Sequence, residues 1–452
     1  MLKASFFMLS LFAFFCYTAA AQGSFGDLRG TVTDSAGAAV SGATVEVVNQ
    51  QTNETRTVTT NDNGEFVVTK LNVGSYTINT SSQGFAPTTV KDVKVSVAFV
   101  TEQSIKLGVA GAQEVVTVTS GDASTQINAT DQQLSTIINN RKILDLPLLS
   151  RDPSSLVLLS PGTVQTDTGL GGFSINGSRE RNNNFIVDGI DNNDTDVPGI
   201  PGGVQTPNID ATEEFRVISG NATAEFGRNT GGIITTATKR GTNSFHGNTY
   251  IYYRSDKFAA RNFFDTTGKA DPLDRKQFGA SLGGPIWKDK IFFFFNYEGN
   301  RTKSGSTQFR AVPTAAARMG VFTTAQFGTL DIRPGGANNI SGAVLGLDSN
   351  LPFSPLSQAL LNLFPLPNTP VNVGPPAPLP GLFENFQFGF VARDKVDSIA
   401  TRIDYNVTKN HTLSFSANYG RGDFNFGAPT FPDFGDELRT PQLGGVYSLS
   451  LL

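Results

Sequence analysis

Hydrophobic and polar positions change texture along the chain. From Leu28 to Leu107 apolar residues alternate in short runs, as in Leu28-Arg29-Gly30-Thr31-Val32, Ala43-Thr44-Val45-Glu46-Val47, Glu65-Phe66-Val67-Val68 and Tyr76-Thr77-Ile78. Turn signals interrupt them about every 8–12 residues, the pattern of an all-β sandwich. Asp34-Ser35-Ala36-Gly37 and Asn61-Asp62-Asn63-Gly64 supply the Asn, Asp and Gly that such turns need. Beyond residue 242 the alternation returns in longer runs. Ile399, Thr401, Ile403, Tyr405 and Val407 share one face, and Arg402, Asp404 and Asn406 the other. Leu413, Phe415, Ala417 and Tyr419 likewise oppose Thr412, Ser414, Ser416 and Asn418, after the turn Thr408-Lys409-Asn410. A lipid-facing band against a polar lumen produces this dyad, but so does a soluble sheet, and one hairpin decides nothing.

Connection lengths discriminate better. The pattern predicts strands near 244–255, 276–287, 290–300, 398–407, 411–420 and 443–452. Their links are alternately long (256–275, 301–397, 421–442) and short (288–289, 408–410), as short turns on one side of a membrane and long loops on the other impose. With the chain entering at Thr242 from the short-turn side, the long loops face outward. The 301–397 loop holds nine prolines between 351 and 380. It also carries a helix signal, with Ser354 as cap, Pro355 in the first turn and Leu356 to Phe364 following. Such a loop reads as a binding surface or lid.

The N-terminus adds an address. Lys3, the apolar stretch Phe6 to Phe15 and Ala19-Ala20-Ala21 form a secretory signal peptide over 1–21. Phe15 is too bulky for a lipobox before Cys16, so cleavage leaves a mature chain starting at Gln22 without cysteine. The exported protein therefore holds together without disulfides. No later run of 18 apolar residues is present, which excludes a spanning helix. Composition agrees with strands and turns: of 452 residues 47 are Gly and 36 Phe, and only 16% are charged. The formal charge of −4 and the lack of a Lys/Arg cluster argue against a nucleic-acid partner.

Candidate chemistry is sparse. Gly279-Ala280-Ser281-Leu282-Gly283 fits a nucleophile elbow, but Ser281 falls mid-strand with no helix after it. The two histidines, His246 and His411, lie on separate predicted strands. Asp62 and Glu65 occupy a hairpin turn. Asp188, Asp191, Asp194 and Asp196 miss the spacing of the twelve-residue calcium loop and read as a polar loop. The expectation is a non-enzyme with no catalytic residue, metal or cofactor.

Ordered motifs then carry a resemblance. Gly30 to Val45 (G-T-V-T-D-x-x-G-A-x-V-x-G-A-T-V), Thr60 to Phe66, Leu71 to Tyr76 and Gly84-Phe85 resemble the carboxypeptidase regulatory-like domain, a seven-stranded sandwich without catalytic residues. Gln113 to Thr119 follows, with Glu114, Val115, Val116, Thr117 and Val118 resembling the TonB box that a periplasmic energy-coupling protein captures by strand addition. Read alone, the same residues could be a last sandwich strand. Leu144 to Leu148, Arg151-Asp152, Leu158 to Gly162, Phe173 to Gly177, Asn184 to Asp191, Ile209 to Val217, Ala224 to Gly227, Gly231 to Ile234 and Thr238 to Gly241 resemble a plug domain. Asn176 stands where many plugs carry Arg, so a lumen salt bridge there is not assumed. A regulatory-like domain before the plug is similar to the Oar-like group of TonB-dependent receptors.

The resemblance implies an all-β dominated fold: a small β-sandwich, an α+β plug, then the first strands of a transmembrane antiparallel β-barrel. Its divisions are 1–21 signal peptide, 22–110 sandwich, 111–121 TonB-box-like segment, 122–241 plug and 242–452 incomplete barrel of about six strands. Six strands cannot close around a plug, and unpaired edges in lipid are costly, so the expectation is an N-terminal fragment of a longer receptor. The implied partners are a TonB-type energy-coupling protein, outer-membrane lipid and an unidentified substrate, and the implied place is the outer membrane. The rival reading is a non-transporting surface protein that binds matrix or host glycans.

Overall fold

The computed structural model describes residues 25–109, 116–119, 132–148, 151–166, 172–196, 199, 203–227, 229–260, 271–324, 328–331, 354–369, 382–408, 411–426 and 438–451. The signal-peptide segment lies outside the described residues.

The first unit is the sandwich. Its strands are β1 (Gly26–Thr33), β2 (Thr44–Asn49), β3 (Thr55–Thr59), β4 (Glu65–Leu71), β5 (Gly74–Ser81), β6 (Thr88–Val95) and β7 (Val100–Lys106), followed by β8 (Val116–Thr119). One sheet runs β4-β1-β7 and the other β3-β2-β5-β6-β8. Alternate residues such as Leu28, Val45, Val47, Phe66, Tyr76 and Ile78 point between the sheets into one core. The Asn61–Gly64 turn closes as its side chains suggest, with Asn61 Oδ1 accepting from the amides of Asn63 and Glu65 at 3.0 and 2.9 Å. Gly64 is required there: its φ is +72°, and a Cβ would lie 2.5 Å from the Val32 carbonyl oxygen.

The central unit mixes short helices with a five-stranded sheet. It comprises β9 (Leu134–Asn139), a helix at Asn140–Asp145, a 3-10 turn at Pro153–Leu159, β10 (Thr163–Gln165) and β11 (Phe173–Ile175). Then come β12 (Asn184–Val187), β13 (Ile190–Asp191), β14 (Thr212–Gly220) and β15 (Ile233–Thr238). The sheet order is β13-β12-β15-β14-β9, with β12 and β15 parallel. Ile138, Leu156, Phe173, Phe185, Phe215 and Val217 pack its core. Asn176 explains itself: with Gly177 it turns through the left-handed region at φ +50° and +77°, where Asn is tolerated and Arg is not favoured.

The third unit is an antiparallel arc in the order β16-β17-β18-β21-β22-β23. These are β16 (His246–Ser255), β17 (Leu273–Trp287), β18 (Ile291–Pro313), β21 (Phe383–Thr408), β22 (His411–Phe426) and β23 (Leu438–Leu451). The small hairpin β19 (Val321–Thr324) and β20 (Gly328–Asp331) belongs to the long loop, as does the helix Pro355–Leu363. All six expected strands are present, and the barrel is not closed. Two are far longer than expected. The 301–397 stretch is not all loop, because Thr302 to Pro313 pair with Phe383 to Asp394 as extensions of β18 and β21. Thr302, Lys303, Ser304, Arg393 and Asp394 interrupt the apolar alternation with polar residues on both faces, although Phe386, Phe388 and Phe390 alternate beyond them.

The arc is inverted relative to a soluble sheet. On β21 Ile403 and Tyr405 are 38% and 39% exposed, whereas Arg402 and Asp404 between them are 6% and 1%. On β22 Thr412, Ser414, Ser416 and Asn418 are buried and Phe415 is exposed. Polar residues thus face the inside of the arc and aliphatic and aromatic ones the outside, the alternation expected of a barrel wall.

Candidate functional site

The concave face of the arc holds the central unit. The contact begins at the turn between β12 and β13, where Asp188 and Gly189 adopt φ of +48° and +81°. That conformation aims the Asp188 carboxylate at the end of β15: Oδ1 accepts from the Thr238 amide at 2.9 Å and Oδ2 from the Thr238 hydroxyl at 2.7 Å. Arg402 of β21 reaches the same carboxylate at 3.2 Å and also Asp404 at 3.1 Å. Arg240, just past β15, pairs with Asp404 at 3.0 Å, and Ser414 of β22 donates to Asp404 at 2.6 Å. Two buried acids and two arginines thus join the central unit to the wall. Each charge has a partner, as burial demands.

A second contact lies along β16 and β18. Arg151 donates to Asp210 at 2.8 Å, and its guanidinium lies 3.8 Å over the Tyr252 ring. Asn248 donates to the other Asp210 oxygen at 2.7 Å, while Asn208 donates to Asn296 at 2.5 Å. These bonds are uncharged or locally neutral.

The sandwich docks on the other side of β14. Arg216, 0% exposed, donates to the Ala98 carbonyl and to Ser135 Oγ, with its guanidinium 5.1 Å over the Phe99 ring. Glu214 Oε1 accepts from the Val97 amide at 2.8 Å. The sandwich also touches the short-turn end of the arc, through Asn53 to Asp289 at 2.9 Å and Thr412 to Glu54 at 3.2 Å. A cleft of about 610 Å³ remains between sandwich and central unit, bordered by Lys94, Phe99, Arg141, Glu213 and Glu214.

Burial pushes the Glu214 carboxyl up to about 7, against the Val97 amide that favours the ionised form and with Glu213 adding to the rise. Burial raises Glu213 as well. A carboxyl raised in the folded state contributes fully below its unfolded value of 4.5, and that contribution is lost as pH rises through about 7. The docked sandwich is therefore expected to melt about 5 °C or more higher near pH 5.5 than near pH 8, a difference that Glu214→Gln should reduce. Equal melting of wild type at both pH values would contradict this.

Of the residues singled out in the sequence, Glu114 and Val115 lie outside the described residues. Val116, Thr117 and Val118 belong to β8, which pairs in parallel with β6 from Thr88↔Val116 to Lys91↔Thr119. The segment thus forms an outermost strand of the sandwich. Ser281 lies mid-strand on β17 and donates to the Asn248 side chain. His246 and His411 sit on β16 and β22, with three strands between them in the sheet order. Asp191 and Asp194 accept from the amides of Asn193 and Asp196 in local turns. Sequence reasoning missed Arg402 and Asp404, although a charged pair on the polar face of an otherwise apolar strand signals a charged partner inside.

The sandwich and the arc each match a known family. Residues 27–108 match the carboxypeptidase regulatory-like domain and residues 237–447 the outer membrane beta barrel domain. The TonB-dependent transporter Oar of Myxococcus xanthus is 27% identical over 265 residues, covering 56% of this chain and 24% of that protein. The chain thus spans about a quarter of the length of the curated relative it matches. Among solved structures, the outer membrane transporter YddB of Escherichia coli superposes with a TM-score of 0.42 at 12% identity, over 70% of this chain and 36% of that one. The ferric enterobactin receptor PfeA of Pseudomonas aeruginosa, as a mutant, gives 0.36 at 18% identity, over 65% and 33%. With a regulatory-like sandwich ahead of an outer membrane β-barrel domain, the chain is a homologue of the TonB-dependent transporter Oar.

Proposed function

We propose that the chain is the sandwich, plug and leading wall of an outer-membrane receptor that imports a substrate and is driven by a TonB-type energy-coupling protein. The observation that carries the reading is the buried network around Asp404, which seats the central unit against the inner wall as a plug would sit. In this reading 122–241 is the plug, and the short-turn end with the sandwich faces the periplasm. Glu114, Val115, Val116, Thr117 and Val118 are the handle for the partner. β8 is the terminal strand of its sheet, so its outer edge offers unpaired amides and carbonyls to a strand from another protein. Pulling there transmits force to the central unit through 120–131, the chain that follows.

Deleting 113–119 tests this. Import by cells carrying the receptor should fall to the background of a receptor-null strain, while surface levels and substrate binding stay unchanged. Import that survives the deletion would overturn the reading and favour a non-transporting surface protein.

A further inference from the structure

The sandwich grips both other units at once. The turn between β6 and β7 meets the central unit, with the Val97 amide on Glu214 and the Ala98 carbonyl under Arg216. The turn between β2 and β3 meets the short-turn end of the arc. Gln51 O accepts from the Asn243 amide at 3.0 Å, Asn53 donates to Asp289 at 2.9 Å, and Glu54 accepts from the Thr412 hydroxyl at 3.2 Å.

Both sides of this second grip are shaped for it. Asn53 adopts a φ of +57°, in the left-handed region that Asn tolerates. Asn49 braces the turn from within, its side-chain oxygen accepting from the amides of Gln51 and Thr52 at 2.9 and 3.1 Å. Asp289, at φ +62° between β17 and β18, accepts from Asn243 Nδ2 at 2.8 Å as well as from Asn53. Its amide donates back to the Asn243 side chain at 2.9 Å, and its carbonyl accepts from Asn406 at 3.2 Å. Asn243 lies in 239–245, the stretch that joins β15 to β16. One knot therefore fastens the sandwich to the wall and keeps the tether of the central unit folded.

The knot is made to open. Gln51, Asn53 and Asp289 are exposed, and hydrogen bonds that water can replace are individually weak. β8 pairs with β6, the strand leading into the turn that holds the central unit. A partner strand added to the outer edge of β8 joins that same sheet, so a pull on it loads the sandwich. We propose that the sandwich is a strap that keeps the central unit seated against the wall, and that a pull on β8 lifts this strap before the central unit moves. The role in transport rests on the function proposed above.

Hydrogen exchange of the full chain in lipid nanodiscs tests the strap without partner or substrate. Asn53→Asp sets a carboxylate against Asp289 and suits the same backbone conformation. At low salt the β14 and β15 amides should exchange about fivefold faster, the factor that two like charges about 4 Å apart in water produce. Added salt should shrink the difference. Asp289→Asn in the same chain should restore wild-type exchange, because the two side chains then trade roles. Exchange at β14 and β15 that is unchanged by Asn53→Asp, or not restored by Asp289→Asn, would overturn the proposal. Single-molecule pulling on a handle attached within 113–119, with the arc anchored, reads the order of events. Wild type should release the sandwich before the central unit extends, and extension with the sandwich still docked would overturn the strap. Import that survives deletion of 113–119 sinks the transport reading instead, whereas the exchange result concerns the strap alone.

Discussion

Replacing Asp404 by leucine is expected to loosen the central unit from the barrel wall by about 3–5 kcal/mol, the usual cost of stranding buried charges. Asp404 accepts from Arg240, Arg402 and Ser414, and is 1% exposed. Its loss leaves buried Arg240 without its ion-pair partner and Arg402 with Asp188 alone. Hydrogen exchange at the β12 and β15 amides should accelerate, with the sandwich amides less affected. A compensated variant discriminates charge from packing: Asp404→Leu with Arg240→Met and Arg402→Met should recover much of the loss, because a wholly apolar replacement strands nothing. Unchanged exchange in the single variant would mean that the network does not hold the central unit.

The second large effect is expected at Arg216. Arg216→Ala removes a fully buried guanidinium and leaves the Ala98 carbonyl and Ser135 without their donor. The Ser135 bond lies within the central unit and only the Ala98 bond crosses, so at about 1.5–3 kcal/mol per hydrogen bond to a charged group the sandwich should lose about that much of its hold on the central unit. Calorimetry would then show the sandwich melting separately and earlier, and the Val97 to Phe99 amides would exchange faster. Arg216→Lys should fall between the two, since a lysine keeps the charge but cannot direct two donors along fixed vectors. A single unshifted transition in Arg216→Ala would show that docking rests elsewhere.

Much of the architecture was legible from local pattern because local pattern is what builds it. The alternation of Ile399 to Val407 and Leu413 to Tyr419 reads directly as the two faces of β21 and β22. The Asn61–Gly64 turn needs only its own side chains. What stayed hidden depends on residues brought together from afar. Asp188 meets Thr238 across 50 positions and Arg402 across 214; within its acidic run it resembled an ordinary loop carboxylate. Arg216 sits in a strand whose pattern gives no hint that the sandwich will cover it. The upper halves of β18 and β21 escaped notice because Thr302 to Ser304 and Arg393 to Lys395 interrupt the apolar alternation, although Phe386, Phe388 and Phe390 beyond them do alternate. The segment 116–119 was ambiguous between a last sandwich strand and a partner's handle, since extended residues with a free edge serve both.

The link from β15 to β16 sets a limit on travel. β15 ends at Thr238 and β16 begins at His246, so only 239–245 connect the central unit to the wall. Fully stretched, that leash spans on the order of 25 Å at 3.3–3.6 Å per residue. Arg240, clipped to Asp404 near its start, takes up slack until the clip opens. Force applied at the N-terminal side can thus unravel or tilt the near part of the central unit, but β15 stays moored within one leash length of the wall.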